Sequence, residues 1–232
     1  MARHRLETGE KPLHWIGSAK RDLLALPAPV VSTLGYALGL AQYGGMHPSA
    51  KTWKGEGPGV FELVEDDQGN TYRAVYTVRF ARAIYVLHAF QKKSPQGIVA
   101  ARRGDDCAPP QGGAGRLSAA LWRGRNVRMA KVTRGTGDVF TDLGFRDAPE
   151  RRTKLKLAKA INEALSERGL TQAAAAAVLG VNQPKVSALT HYRLDGFSVE
   201  RLLGFLTALG RDIDIVVKRR TRARGRIAVL AA

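Results

Sequence analysis

The sequence has a single cysteine, Cys107, no apolar run long enough to span a bilayer, and few acidic residues. A lone cysteine excludes an intramolecular disulfide, and since it has no His or Cys neighbour at ligand spacing, we expect no metal and no cofactor. The chain also lacks the apolar stretch of a signal peptide, so we expect a cytoplasmic protein without a membrane partner. Only 20 Asp and Glu face 37 Lys and Arg, and the resulting net charge of +17 favours polyanions such as nucleic acids.

The length of 232 residues predicts two domains and a connection. We predict a first domain over residues 11–98, an irregular linker over 99–135, a second domain over 136–218 and a basic tail over 219–232. The fold class that the patterns below indicate is an α+β N-terminal domain joined to an all-α C-terminal domain with a terminal strand.

The last third of the chain has the pattern of a helix-turn-helix. A helical face of five apolar residues is followed by Gly169, which predicts the end of a helix; the face comprises Leu157, Ala158, Ile161, Ala164 and Leu165. Thr171 and Asn182 are predicted to cap two short helices separated by Gly180. Two short helices joined by such a turn place the second in the major groove of DNA. The alternation in "DIDIVV" predicts the terminal strand.

The stretch "LTQAAAAAVLGVNQPKVSAL" resembles the XRE (Cro/cI) helix-turn-helix family, and "GDVFTDLGF" to "RDIDIVV" resembles the HigA-type antitoxins within it. The resemblance implies a homodimer on operator DNA. It implies that Gln172 contacts a backbone phosphate and that the recognition helix reads base edges or phosphates. With Asn182 at the start of that helix, the predicted DNA-binding residues are Gln172, Asn182, Gln183, Lys185 and Ser187.

The first hundred residues have the pattern of a small α+β domain. A strand, "PLHWI", precedes a helix that Ser18 is expected to cap and a second helix that begins at Pro27 or Pro29. Three strands with period-two alternation follow and predict an antiparallel sheet: "VFELVED", "TYRAVYTVRF" and "AIYVLHAFQ". In the last of them the alternation places His88 on one face with Ile84, Val86 and Phe90, as a core or half-core histidine.

This order of elements resembles the RelE/ParE toxin superfamily, most closely its HigB-type, phage-protein-like branch, through "KPLHWIGSAKRDL", "HPSAKTWKG" and "TYRAVYTVRFARAIYVLHAFQKKS". The resemblance implies metal-independent cleavage of mRNA on the ribosome. Basic side chains would stabilise the charge that develops on the phosphorus. The residues that match the working positions are Lys51, Lys54, Arg73, Lys92 and Lys93.

Two interpretations of the join and three of the function stay open. HigB-type toxins commonly continue past "FQKKS" into a basic helix, whereas this chain has Gly, Pro and Asp there. The stretch is either a natural linker or the product of a frameshift, with Met129 as the former start of the antitoxin. The favoured function is a toxin–antitoxin fusion that binds operator DNA and masks a latent endoribonuclease. The alternatives are a sequence-specific regulator with an inactive toxin-like domain and, fitting less well, a gyrase poison of the ParE type.

Overall fold

The computed structural model divides the chain into two compact units, Met1–Leu143 and Gly144–Ala232. It describes residues 10–53, 59–80, 83–92 and 131–219, together with 227 and 229. Residues 131–143, which the sequence assigned partly to a linker and partly to the second domain, group with the first unit. Their contacts, described below, explain this difference.

The first unit contains a six-stranded mixed sheet in the order β2-β3-β4-β5-β1-β6. The strands are β1 (Leu13–Ile16), β2 (Ala50–Thr52), β3 (Val60–Asp67), β4 (Asn70–Phe80), β5 (Ala83–Lys92) and β6 (Val132–Arg134). Strands β1 and β5 pair in parallel, and the other pairs are antiparallel. The four predicted strands are present, and β3, β4 and β5 form the predicted antiparallel run, whereas β1 joins the sheet in parallel with β5. The pair can be parallel because two helices and three strands of the described chain separate β1 from β5 in the sequence, which is enough chain for a crossover connection.

Among the described residues of this unit, three helices accompany the sheet: α1 (Ala19–Leu24), α2 (Ala28–Gln42) and α3 (Val139–Asp142). Both predicted helices are present, although the Ser18 hydroxyl bonds to Asp22 Oδ2 at 2.5 Å instead of capping a backbone N–H. Helix α2 is buried nearly all round, because it packs against β3, β4 and β5 and also against α3. Such a helix lies inside the core and not at its edge.

A β-bulge at Leu87 reverses the alternation in β5. Val75 pairs with His88, whereas the next residue, Tyr76, pairs with Val86, so Leu87 has no partner across the ladder. Beyond the bulge Ala89 takes the buried face and His88 moves to the opposite one, where it is half-buried beside Phe90. The prediction that His88 shares a face with Ile84 and Val86 is therefore wrong.

The second unit is helical, with α4 (Ala148–Glu167), α5 (Gln172–Leu179), α6 (Gln183–Thr190) and α7 (Val199–Ala208). The predicted apolar face of the first helix is confirmed, since all five of its residues are buried. The predicted terminal strand "DIDIVV" is absent. Residues 211–219 have no regular secondary structure and pair with no strand among the described residues. No helix in the described part of the chain is long and apolar enough to cross a membrane.

The predicted caps of the two short helices are confirmed. Thr171 Oγ1 accepts a hydrogen bond from Ala174 N at 3.3 Å, and Asn182 Oδ1 accepts one from Lys185 N at 3.0 Å. Gly180 ends α5 in the left-handed region at φ 62°, a conformation that favours glycine. The turn between α5 and α6 is thus specified by local chemistry at both of its ends.

Candidate functional site

Three of the five predicted catalytic residues lie on one face of the sheet. Lys51 pairs with Glu62, and Arg73 pairs with Phe90 on the other side of its strand. Lys92 pairs with Thr71, two residues from Arg73, and residues two apart along a strand share a face. Lys51, Arg73 and Lys92 therefore define what we call the basic face. Lys54 and Lys93 lie outside the described residues.

An ion pair controls the charge at the centre of the basic face. Arg73 Nη1 donates to Glu62 Oε2 at 2.5 Å, and the two side chains are only 24% and 14% exposed. The carboxylate neutralises much of the guanidinium charge, because the pair is partly shielded from water. Arg73 Nε is buried and has no hydrogen-bond partner among the described residues. Because this nitrogen is buried, a phosphate could bond to it only after the Arg73 side chain had moved.

The strand pairing adds a second group to this face that the sequence did not reveal. His14 pairs with Tyr85 on one side and with Arg134 on the other. The His14 and Tyr85 rings meet edge to face, with centroids 5.3 Å apart. Burial, together with the positive charge of Arg134, lowers the pKa of His14 below its ordinary value, so the imidazole is neutral at neutral pH. No sequence pattern predicted this group, because β6 has only three residues and pairs with a strand more than a hundred positions away.

The predicted DNA-binding residues lie on the two short helices or at the cap of the second. Gln172, Asn182 and Gln183 are exposed, while Ser187 is half-buried on α6. Val186 and Leu189, on the other side of α6, are 1% and 0% exposed and anchor the helix in the core. The Asn182 side-chain oxygen serves as a helix cap, so a contact with DNA would fall to its amide nitrogen. The Gln183 amide makes no side-chain hydrogen bond to any other described residue and is exposed.

Lys185 is held against its own domain. Its Nζ lies 5.0 Å from the centre of the Phe197 ring and donates to Gly196 O at 3.4 Å. The ammonium group must leave these contacts before it can reach a base edge. Arg193, which the sequence analysis did not single out, is an exposed cation in the turn that follows α6. Its position directly after the predicted recognition helix could have marked Arg193 as a DNA contact from the sequence alone.

Ion pairs of Arg151 connect helix α4 to the turn that follows the recognition helix. Arg151 on α4 bonds both to Asp147 at 3.0 Å and to Asp195 at 2.9 Å, and its guanidinium stacks on the Phe145 ring at 4.0 Å. Asp195 follows α6 by a few residues, so α4 fixes the position of the turn that contains Arg193. Tyr192 adopts a left-handed φ of 53° in that turn and is buried, which raises its pKa.

Comparisons with known proteins also find two separate parts in the chain, the second of which begins at residue 139, before the end of the first unit at Leu143. Residues 21–101 match the family model of the phage-derived protein Gp49-like, and residues 139–218 match a helix-turn-helix domain model. A solved structure described as a putative XRE family transcriptional regulator is 57% identical over 37% of this chain and 99% of its own, with a TM-score of 0.35. No curated protein matches the chain at a significant level.

The first match lies within the first unit, and most of the second match lies within the second unit. Strands β2 to β5, which carry the basic face, lie within the part matched by the first model, whereas β1 and β6 lie outside it; α4 to α7 lie within the part matched by the second. Residues 21–101 therefore match the Gp49-like phage-derived family, a RelE/HigB-like toxin family, and residues 139–218 form a helix-turn-helix domain of the XRE type.

Proposed function

We propose that this protein is a toxin–antitoxin fusion of the HigB and HigA type. Its C-terminal domain binds operator DNA as a homodimer and represses its own promoter, and its N-terminal domain is a latent, metal-independent endoribonuclease that acts on mRNA at the ribosome. The observation that carries the proposal is the presence, in one chain, of a toxin-family domain with basic residues on one face and an XRE domain with its recognition helix exposed.

The DNA-binding half of the proposal rests on the exposed start of the recognition helix. A glutamine amide can bond to an adenine edge at two points, and Gln183 stands where the first turn of such a helix meets the base edges. Lys185 contributes after it leaves Phe197. Two recognition helices related by the dimer axis would read half-sites about one turn of DNA apart. The exposed residues Ile215, Val216 and Val217 offer an apolar surface for the dimer contact.

Gln183→Ala is expected to weaken binding to the operator about tenfold and to leave binding to unrelated DNA unchanged, because the lost contact is to a base. Gln172→Ala is the matched control. It should weaken both kinds of binding equally, since its predicted contact is to a phosphate. Fluorescence anisotropy at several salt concentrations measures both. If the two substitutions reduce operator and unrelated DNA binding in the same ratio, Gln183 does not read a base.

The nuclease half of the proposal rests on the basic face. The reaction needs cations near the phosphate and a group that takes the proton from the ribose 2′-hydroxyl. Arg73 supplies a donor, and Lys51 on β2 and Lys92 on β5 lie on the same face of the sheet. A neutral imidazole, such as that of His14, is able to accept a proton. RNA bound here would have to draw Arg73 away from Glu62 or share it with that carboxylate.

Arg73→Ala is expected to lower mRNA cleavage about tenfold, because a charge-assisted hydrogen bond to the phosphate is lost. The assay uses the compact unit 1–143 with translating ribosomes, and growth arrest on expression is the second measurement. Arg21→Ala is the control, since Arg21 is 83% exposed on α1 and lies off the basic face. Equal activity of the two variants would rule out the assigned role of Arg73.

The second candidate function is a transcriptional regulator whose toxin-like domain is catalytically inactive. The ion pair between Arg73 and Glu62 favours it, because it occupies the cation that catalysis would need. Absence of cleavage and of growth arrest with folded 1–143 would establish this alternative. The DNA-binding half of the proposal would be unaffected by that result.

A further inference from the structure

Residues 131–143, which we call the docked arm, are bound to the N-terminal domain along their whole length. The arm begins with β6, which pairs with β1 and adds one strand to the edge of the sheet. Further backbone bonds flank the pairing, from Gly17 N to Lys131 O at 2.9 Å and from Gly135 N to Leu13 O at 3.1 Å. The arm therefore covers the edge of β1 that would otherwise be unpaired.

The second part of the arm consists mainly of buried apolar side chains. Val139, Phe140 and Leu143 are 0%, 1% and 6% exposed, and α3 packs on α2. The Phe140 ring meets the Tyr36 ring of α2 edge to face, with centroids 5.1 Å apart. Without the arm, this surface of α2 would face water. Burial of these side chains is the main source of the arm's binding free energy.

Polar contacts fix the register of the arm. The buried Gln42 amide donates to Gly137 O at 3.0 Å and accepts from Val139 N at 3.1 Å. Trp15 Nε1 donates to Asp142 Oδ2 at 3.2 Å, and the other oxygen of that carboxylate accepts from Thr136 N at 2.8 Å. Each of these polar groups would be buried without a partner if the arm slipped by one residue.

The fit leaves no room for a side chain at Gly135. A Cβ there would lie 2.2 Å from Asp142 Oδ2 and 2.5 Å from Leu13 O. Backbone of the arm and backbone of β1 are therefore in close contact at this point. Such a fit, with apolar anchors, strand pairing and matched polar groups, is typical of a specific interface and not of a passing linker.

We infer that the docked arm is a self-sufficient docking element, which holds the helix-turn-helix half on the N-terminal domain without help from the covalent connection through residues 93–130. A chain cut in that connection stays one particle. The groove formed by β1 and α2 takes one kind of ligand, a short strand followed by an apolar helical turn, and here this is the chain's own arm. The inference holds whether or not the N-terminal domain cleaves RNA.

The test uses the full chain with a protease recognition site inserted between Gly112 and Gly113 and cut under native conditions. Both fragments are expected to elute together from a sizing column, at the volume of the uncut protein. Separate elution of two folded fragments would overturn the inference. Tryptophan fluorescence of the cut sample checks that the first unit has kept its fold, since Trp15 is buried against the arm.

Two phenylalanine substitutions, one in the arm and one in the second unit, test whether the arm itself holds the two fragments together. Phe140→Ala in the cut protein should raise the dissociation constant of the two fragments on the order of a hundredfold, because a large buried side chain is lost from the interface. Phe197→Ala, which removes an equally buried ring within the second unit, should leave that constant unchanged. Equal constants for Phe140→Ala and the parent would also overturn the inference. Should Phe140→Ala fail to fold, Asp142→Ala provides a smaller perturbation of the same interface, with a weaker loss expected.

Discussion

Gln42→Leu is expected to lower the free energy of unfolding of the first unit by about 3 kcal/mol. Leucine has a similar volume but no polar atoms, so the cavity stays filled while three backbone groups lose their partner. These groups are Lys11 O and Gly137 O, which accept from the Gln42 amide, and Val139 N, which donates to it. Two of them lie in the docked arm, so the loss also weakens the hold of the domain on that segment.

Urea unfolding followed by tryptophan fluorescence measures this loss, because all three tryptophans of the chain precede residue 143. Gln91→Leu is the control. Its side chain is exposed on β5 and, within the described part of the chain, bonds only to Asn70, so a change within about 0.5 kcal/mol is expected. A midpoint for Gln42→Leu that coincides with that of the control would show that the arm does not depend on this amide.

Leu189→Ala is expected to destabilise the second unit by about 3 kcal/mol and to reduce DNA binding with it. Leu189 is fully buried on the inner side of the recognition helix, and its carbonyl oxygen accepts a hydrogen bond from Asn162 on α4 at 3.3 Å. The substitution leaves a cavity where α6 packs on the rest of the domain. The exposed residues that read DNA are untouched, so any loss of affinity reflects the position of the helix.

Circular dichroism during heating follows the loss of helix, and most of the helical residues in the described part of the chain belong to the second unit. Val178→Ala is the control, since Val178 is 40% exposed on α5 and its truncation leaves no cavity in the core. A loss of operator binding for Leu189→Ala at temperatures where the domain remains fully folded would assign the effect to helix orientation. Unchanged stability would contradict the packing described for α6.

The helix-turn-helix was predictable from the sequence because its determinants are local. Thr171, Gly180 and Asn182 act within three or four residues of their own positions, and the apolar face of α4 follows a helical period. The long strands β3, β4 and β5 were predictable for the same reason. Their alternation extends over enough residues to be distinguished from chance.

The parts that the sequence did not reveal depend on contacts between distant residues. Strands β2 and β6 have three residues each, too few for an alternation, and the arm contains glycines that favour the prediction of a loop. The bulge at Leu87 has no sequence signature, although it moves His88 to the other face. Lys185 was placed correctly on its helix, but its contact with Phe197 follows from the packing of a later segment.

The docked arm also has a consequence for the order of events during synthesis. The ribosome makes residues 1–130 first, yet until residues 131–143 have emerged β1 lacks its second neighbour, β6, and α2 lacks its contact with α3. The N-terminal domain therefore cannot reach its final fold before translation has entered the segment matched by the helix-turn-helix model, which begins at residue 139. A ribosome that stalls or stops earlier releases an unfinished domain with an uncovered edge, a substrate for proteases, so a complete toxin-like domain is never made without the first residues of its partner.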